Sequence, residues 1–246
     1  MAFSTGTLLR CFLRSYCSTA CYSPRGLQSV GFTFAIEPVL AALYGPGEEL
    51  KAARWRYVRH FNSHPFWMPL LLGAFLRVES EIAAKRVQPA LLDNVKDTTA
   101  NALSAIGDSL FRGSTMITWA LAAGCLVLYG MPRAAAVLTL GLFALVHLLR
   151  FACFVAGLRM GLSSLLLIRR FQLINWAGRI KYMNACLLAL FLWLALRETA
   201  AEQPLWLPAV PACLAVAGLL VWRLHVPRLV LLLLLLAVVV AFRLVL

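Results

Sequence analysis

The sequence predicts an all-α integral membrane protein, with re-entrant helical hairpins in the N-terminal half followed by transmembrane helices. Of its 246 residues, 62% are hydrophobic and only 13% are charged. Soluble globular domains are typically about 45–50% apolar and about 25% charged. In addition, an uncharged run between Arg228 and Arg243 is long enough, with snorkelling flanks, to cross a hydrocarbon core about 30 Å thick.

The charge distribution favours a membrane partner and argues against nucleic acid. The chain carries 23 Lys and Arg against 10 Asp and Glu, a formal net charge of +13. Many of the arginines lie in short breaks between apolar runs, such as "KAARWRYVRH", "IRRFQLINWAGRIK" and "WRLHVPR". This positive-inside pattern is typical of a multi-pass protein of the bacterial inner membrane, with basic loops in the cytoplasm. The seven cysteines form no CxxC pair, so we expect neither a disulfide framework nor a structural zinc site.

We expect residues 1–246 to form a single domain in three parts. Residues 1–26 contain arginines and serines but no acidic residue, which predicts an N-terminal interfacial helix with its apolar side in the bilayer. The apolar side chains that share one face of this helix are Leu9, Phe12, Leu13, Tyr16 and Cys17. The other two parts are broken or re-entrant helices over 27–112 and transmembrane helices over 113–246.

The apolar segments of the second part are too short or too interrupted to cross a bilayer comfortably. Residues 27–44 carry Glu37 and Pro38 near their centre, and a carboxylate there is costly unless protein or water surrounds it. Residues 64–79 contain about fourteen apolar residues, a length that favours re-entry over crossing. The polar residues 80–98 are predicted to form a solvent-facing link.

The third part contains apolar runs that suit membrane spans. Residues 134–157 are expected to form a full span, and further runs occupy 183–196, 206–222 and 229–246. Irregular backbone is tolerated at membrane depth only where protein buries it or where it lines a cavity. Broken helices ahead of complete spans therefore indicate a translocation path.

The stretch "RHFNSHPF" raises the question of a metal site, because His60 and His64 would stack on one face of a helix. A zinc-protease pattern requires a glutamate beside its first histidine, and that position is Phe61. Pro65 also disfavours helical geometry at His64. A metal pair is therefore disfavoured, and we expect no metal and no cofactor.

Several stretches of the chain carry a recognisable order of motifs. They are "FLRSYCSTACYSPRGLQSVGF", "RHFNSHPFWMPLLLGAFLRVE", "AIGDSLFRGS", "RFACFVAGLRMG" and the C-terminal "LWLPAVPACLAVAGLLVWRLHVPRLVL". In their order and spacing these stretches resemble the IID membrane subunit of mannose/fructose/sorbose-family phosphotransferase systems. The resemblance extends over nearly the whole chain.

The resemblance implies a role in sugar transport. A IID subunit joins a IIC subunit in the lipid bilayer to form a permease, expected as a trimer of heterodimers. Cytoplasmic IIB and IIA phosphocarrier proteins complete the system, and IIB phosphorylates the incoming hexose. The IID chain carries no phosphohistidine, so the resemblance implies no catalytic residue on this chain, which would act only as part of a phosphotransferase complex.

Polar residues in the matched stretches are the candidate site residues. The candidates for substrate binding are Asn62, His64, Lys96 and Asp108, and those for partner contact or gating are Gln28 and Glu79. Asn62 and His64 offer donors and acceptors for sugar hydroxyls at a polar turn at the mouth of a re-entrant hairpin. We expect Pro65 to start the second arm of this hairpin and Asp108, preceded by Gly107, to form a second turn.

Structural interpretations of the same residues remain open. Asn62 and His64 can instead cap backbone groups of the hairpin. Asp108 can cap the helix that follows it. For Lys96 and Glu79, a solvated position is favoured over a functional one.

Departures from the family pattern leave a second function open. The family's Glu-Arg falls at Arg25-Gly26, its Gly-Pro at Asn101-Ala102 and a later Arg-Pro at Met116-Ile117. The alternative hypothesis is therefore a non-transporting scaffold or regulatory membrane protein derived from the IID fold.

Overall fold

The computed structural model describes residues 3–202, and this part of the chain is all-α as predicted. The helices are α1 (Thr5–Arg14), α2 (Ser29–Tyr44), α3 (Glu48–Val58), α4 (Met68–Ala83), α5 (Pro89–Gly107), α6 (Met116–Leu128), α7 (Pro132–Met160), α8 (Ser164–Arg170) and α9 (Leu173–Glu202). A π-helix, Asp108–Thr115, joins α5 to α6. The runs predicted at 206–222 and 229–246 lie outside the described residues.

Helix α1 has two different faces. Ser4 caps its N-terminus, because the Ser4 hydroxyl accepts a hydrogen bond from the backbone N–H of Thr7 at 3.1 Å. Phe12 is 8% exposed and packs in the core, whereas Leu9 and Leu13 are 50% and 56% exposed. An apolar outer face of this kind is what an interfacial helix presents to a bilayer, and that role remains a prediction.

Helix α2 continues through Pro38 because another part of the chain compensates for the missing N–H. Proline leaves the carbonyl oxygen of Phe34 without its helical donor, and the guanidinium of Arg14 donates to that oxygen at 3.3 Å. The neighbouring Glu37 forms an ion pair with Arg54 of α3. Arg14 and Arg54 therefore compensate for the two unfavourable features of this segment, the missing N–H of Pro38 and the charge of Glu37.

The solvent-facing link predicted at 80–98 is only partly confirmed: residues 84–86, 88–91, 97 and 98 are exposed, whereas others in the range are buried. Most of this range is helical, because α4 extends to Ala83 and α5 begins at Pro89, where a missing N–H costs nothing. Leu92 and Lys96 are 0% and 2% exposed, so one face of α5 packs against the rest of the protein.

Three helical stretches within the described residues are long and apolar enough to cross a membrane. They are Pro89–Leu128, Pro132–Leu166 and Leu173–Ala195. The span predicted at 134–157 lies within α7, and the run at 183–196 lies within α9. The helices that precede them, α1 to α4, contain at most 16 residues each. This order agrees with short helices followed by transmembrane helices.

The turn predicted at Asp108 is wrong, and so is the helix-capping role considered for it. Gly107 and Asp108 both have right-handed helical backbone angles, with φ near −60° and ψ near −45°. The chain widens into the π-helix at this point instead of turning. The second arm of the hairpin also begins later than predicted, at Met68 and not at Pro65.

Helices α4 and α7 pack closely because each contributes a glycine. A Cβ atom on Gly73 would lie 2.8 Å from the backbone nitrogen of Leu158, and one on Gly157 would lie 2.7 Å from that of Ala74. Small residues allow this approach between helices. The sequence singled out Gly157 and Gly161 as a packing pair; Gly161 instead ends α7 with a φ of 59°.

We expect Gly157→Ala to destabilise the protein by about 1–3 kcal/mol, because the added methyl group forces α4 and α7 apart. Gly141→Ala is the matched control, since it lies in the same helix with no heavy atom within 4 Å of its added Cβ. Thermal unfolding of both variants in detergent, followed by circular dichroism, compares them. Equal stability of the two variants would contradict the close α4–α7 contact.

Candidate functional site

The loop between α3 and α4, residues 59–67, is attached to the segment that precedes α2. The backbone N–H of Gln28 donates to the carbonyl oxygen of Phe61 at 2.9 Å, and the side-chain oxygen of Gln28 accepts from the N–H of Ser63 at 3.1 Å. Leu27 has a φ of 54°, an uncommon left-handed conformation for a residue other than glycine. Gln28 is 7% exposed, so its amide is a buried clamp on the loop.

His64 is half-buried between this loop and the end of α5. Its Nδ1 accepts a hydrogen bond from the backbone N–H of Phe66 at 3.2 Å. Its ring packs against Gly107, where an added Cβ would collide with the imidazole. Burial lowers the pKa of His64 below its ordinary value of 6.5, although the negative charge of Asp108 opposes this shift. The imidazole is therefore neutral at neutral pH.

Phe111 of the π-helix is the main contact between the loop and the membrane-spanning helices. Its ring stacks on Phe66, with ring centroids 3.8 Å apart, and on His64 at 5.4 Å. Trp67 meets it edge-on at 5.6 Å. Such aromatic contacts add about 0.5–1.5 kcal/mol each beyond their buried area. They couple the position of His64 to the geometry of the π-helix.

Polar groups on α9 hold the π-helix in place. The Ser114 hydroxyl contacts the carbonyl oxygen of Ser109 at 2.8 Å and that of Ala177 at 3.2 Å. The amide nitrogen of Asn184 donates to the carbonyl oxygen of Ser114 at 3.0 Å, and its oxygen accepts from Thr118 at 2.7 Å. Asn184 was not identified from the sequence as a structural residue, although an amide inside an apolar run indicates a buried hydrogen-bonding group. π-Helical segments frequently occur at functional sites.

A cavity of about 430 Å³ opens beside His64, between the 59–67 loop, the π-helix, α6 and α7. Its walls are mostly apolar. The residues that line it are His64, Pro65, Phe66, Phe111, Thr115, Met116, Trp119, Thr139, Leu142, Phe143, Val146 and Arg150.

Glu79 lies in a separate polar cluster, and the prediction that it is solvated is wrong. Its side chain is fully buried and accepts hydrogen bonds from Tyr44 at 2.6 Å and from Tyr57 at 2.8 Å. Arg56 donates to both carboxylate oxygens, at 3.1 Å and 2.7 Å. All of these partners satisfy the buried charge. We call Tyr44, Arg56, Tyr57 and Glu79 the Glu79 cluster.

Lys96 is buried beside the Glu79 cluster, so its predicted solvated position is also wrong. Its side chain is 3% exposed, and its Nζ donates to the backbone carbonyl oxygen of Arg56 at 2.6 Å. This contact ties α5 to α3. The charged head is therefore engaged by the protein itself.

The structure brings together some of the predicted site residues and separates others. Gln28 holds the loop that carries Asn62 and His64, and the exposed Asp108 follows the glycine against which His64 packs. The Asn62 side chain is half-buried and forms no hydrogen bond within residues 3–202. Lys96 and Glu79 belong to the other cluster.

The sequence did not reveal the partners of Glu79. Tyr44, Arg56 and Tyr57 lie on helices α2 and α3, far from Glu79 along the chain. No spacing rule links residues that meet only after three helices have packed. The basic composition of α3 placed Arg56 in a predicted cytoplasmic loop instead.

Comparison with known proteins gives one matching family. Residues 2–186 match the model of the mannose/fructose/sorbose family IID component of phosphotransferase (PTS) systems. The fructose permease IID component of Bacillus subtilis strain 168 is 26% identical over 104 residues, 42% of this chain and 38% of the relative. The mannose-specific EIID component of Escherichia coli K12 is 27% identical over 155 residues, 62% of this chain and 53% of the relative. The matches therefore span about half the length of these relatives or less.

Two solved structures share the fold. One, described as the structure of a membrane protein, has a TM-score of 0.75 at 20% identity, and the match covers 98% of this chain and 97% of the other. The second is a cryo-EM structure of the mannose transporter ManYZ in complex with microcin E492. It has a TM-score of 0.57 at 20% identity, with 97% and 96% of the two chains covered.

Glu79→Gln should destabilise the protein by about 3 kcal/mol, because the buried guanidinium of Arg56 then lacks a neutralising charge. Glu81→Gln is the matched control. Glu81 forms more exposed ion pairs with Arg77 and Arg86, and pairs of that kind contribute less than about 1 kcal/mol. Thermal or denaturant unfolding in detergent gives the comparison. A similar loss in both variants would show that burial does not dominate the Glu79 interaction.

The His64 site predicts a dependence of stability on pH. Because the folded pKa lies below the unfolded value of 6.5, the native state binds fewer protons than the unfolded state. The contribution of His64 to the free energy of unfolding is therefore complete above pH 6.5 and is lost as the pH falls through the folded pKa.

Unfolding measured between pH 8 and pH 5 should show this loss in the wild type and a smaller one in His64→Gln. His60→Gln, at an exposed position in the same loop, is the control and should behave like the wild type. An unchanged pH profile in His64→Gln would contradict the assignment.

Proposed function

Because the chain belongs to the mannose/fructose/sorbose family of PTS IID components, we propose that it is the membrane permease subunit of a sugar-transporting phosphotransferase system. In this proposal it forms the translocation path together with a IIC subunit. A cytoplasmic IIB protein, supplied with phosphate by IIA, phosphorylates the hexose as it emerges. The names of the relatives, a fructose permease and a mannose-specific component, support a hexose as substrate.

The observation that carries this proposal is the polar edge formed by the 59–67 loop and Asp108. The side-chain amide of Asn62 forms no hydrogen bond with another described residue, and Asp108 is exposed. His64 lies in the same loop as Asn62, and its Nδ1 is engaged by the backbone N–H of Phe66, which leaves Nε2 to donate. An amide, an imidazole and a carboxylate together suit the alternating donors and acceptors of sugar hydroxyls.

The described residues provide one side of such a site. A hexose carries more hydroxyl groups than Asn62, His64 and Asp108 can satisfy, and the proposal assigns the remaining contacts to a partner chain. The mannose transporter ManYZ, whose fold resembles this chain, supports a membrane partner of this kind. We propose a IIC subunit for that place, in a trimer of heterodimers.

The other predicted residues act indirectly in this proposal. Gln28 positions the loop through its contact with Ser63. Lys96 and Glu79 join α5, α3 and α4, so they support the site and do not contact the sugar. A change in the Glu79 cluster would reach the loop through α3 and α4, the two helices that flank it.

One observation favours the alternative function, a scaffold or regulatory protein without transport. Met116 lines the cavity beside His64 and stands at the position of the arginine in the family's Arg-Pro motif. An apolar thioether there removes a donor that a sugar hydroxyl could use. This alternative predicts assembly with other phosphotransferase proteins but no sugar binding.

Uptake of labelled hexoses tests the proposal in cells that lack their own mannose-type system and co-express this chain with IIC, IIB and IIA proteins. We expect Asn62→Ala and Asp108→Asn each to reduce uptake at least tenfold, because each removes a hydroxyl contact (about 1.4 kcal/mol per tenfold). Asn101→Ala and Glu49→Gln, at exposed positions on α5 and α3, are the controls and should leave uptake unchanged.

The amount of complex in the membrane, measured by immunoblotting, separates lost function from lost assembly. Normal uptake in both Asn62→Ala and Asp108→Asn would exclude these residues from the path. Assembly without uptake or sugar binding in the wild type would favour the scaffold.

A further inference from the structure

Arg150 interrupts the apolar part of α7, which continues through residues 151–158 to Arg159. Residues 134–149 separate it from Arg133, and Thr139 and His147 are the polar side chains among them. At a rise of about 1.5 Å per residue, the two arginines are about 25 Å apart along the helix axis. Arg150 lies inside the predicted span 134–157, about 10 Å from its C-terminal end, so its long side chain reaches towards the lipid head groups by snorkelling.

The charge of Arg150 is not neutralised by the described residues. Arg150 forms no ion pair in the described part of the chain, and its buried Nε has no hydrogen-bond partner there. Its guanidinium instead lies over the ring of Tyr16, 4.0 Å from the centroid. The Tyr16 hydroxyl is in turn held by His147 at 2.8 Å. These contacts fix the position of the cation at the edge of the cavity that Arg150 lines.

The cavity described above extends from Arg150 along the surface of α7. Its lining residues on this helix run from Arg150 to Thr139, a distance of about 16 Å by helical rise. At the far end the Thr139 hydroxyl is already used, because it accepts from the Trp119 indole at 3.0 Å. Met116 and Phe143 in its wall are 58% and 64% exposed, so the cavity is open towards the lipid side.

These features differ from those of the polar edge at Asn62 and Asp108. A long apolar slot suits a hydrocarbon chain and offers a hexose few partners. An unpaired arginine at the head-group end suits a phosphate, which a guanidinium binds strongly. Charge complementarity and the apolar lining together select an anionic amphiphile.

We propose that this cavity binds an anionic phospholipid, with its phosphate against Arg150 and an acyl chain between Met116, Trp119 and Phe143. The lipid packs beside His64 and Phe111, so it contacts the elements that shape the 59–67 loop. This site shares His64 with the proposed sugar contacts but does not include Asn62 or Asp108, and its existence does not depend on sugar transport.

Native mass spectrometry of the full-length chain, purified with its membrane partner where the two copurify, tests the proposal. Phosphatidylglycerol and phosphatidylcholine with identical acyl chains compete for binding. The wild type should prefer phosphatidylglycerol, and Arg150→Gln should lower this preference about fivefold, since one basic residue contributes about 1 kcal/mol with anionic lipid. Arg133→Gln, at an exposed position outside the cavity, should keep the preference.

A cavity-filling variant tests the acyl-chain contact, and inorganic phosphate tests whether the head group alone accounts for binding. Val146→Trp fills the cavity without changing charge and should reduce the retention of both lipids. An excess of inorganic phosphate should not displace phosphatidylglycerol. Equal preference in Arg150→Gln and the wild type, an equal loss in Arg133→Gln, or displacement by inorganic phosphate would each overturn the proposal.

Discussion

The buried carboxylate of Glu79 is the constraint on which the N-terminal half of this structure depends. An unpaired carboxylate in such an environment costs several kcal/mol, so its partners must be held in position. Tyr44, Arg56 and Tyr57 supply them from α2 and α3, while Glu79 itself lies on α4. Three short helices, none long enough to span a bilayer alone, are thereby fixed to one another. Lys96 extends the arrangement to α5 through the backbone of Arg56.

The second organising element is the π-helix between α5 and α6. A regular helix would place Phe111 at a different angle, whereas the widened turn directs its ring between His64 and Phe66. Asn184 and the carbonyl oxygen of Ala177 stabilise this geometry from α9 through their hydrogen bonds with Ser114 of the π-helix. The membrane-spanning helices therefore set the position of a loop that they do not contain. One histidine, His64, therefore belongs to the loop that carries Asn62 and also lines the apolar cavity.

The candidate site was predictable to the extent that it is local in the sequence. Asn62 and His64 were identified because they lie in a polar turn before Pro65, within a stretch that matches the family motifs, and the structure places them in one loop. Asp108 was identified from its isolation among apolar residues, but its turn was wrong because the π-helix absorbs the irregularity without breaking the helix. Glu79 was placed in solvent because the counter-charge that permits its burial comes from another helix.

Composition, hydropathy and motif order by themselves determined that this protein is an all-α membrane protein and which family it resembles. These properties are totals over the chain or patterns among neighbouring residues, so they can be determined without knowing any tertiary contact. Only the tertiary structure decided that Glu79 and Lys96 are buried, that Arg14 compensates for Pro38, and that the Arg150 charge lies unpaired beside an apolar cavity. The physical reason is that the free energy of a charge in a membrane protein depends on its nearest neighbours, and those neighbours come from distant parts of the chain.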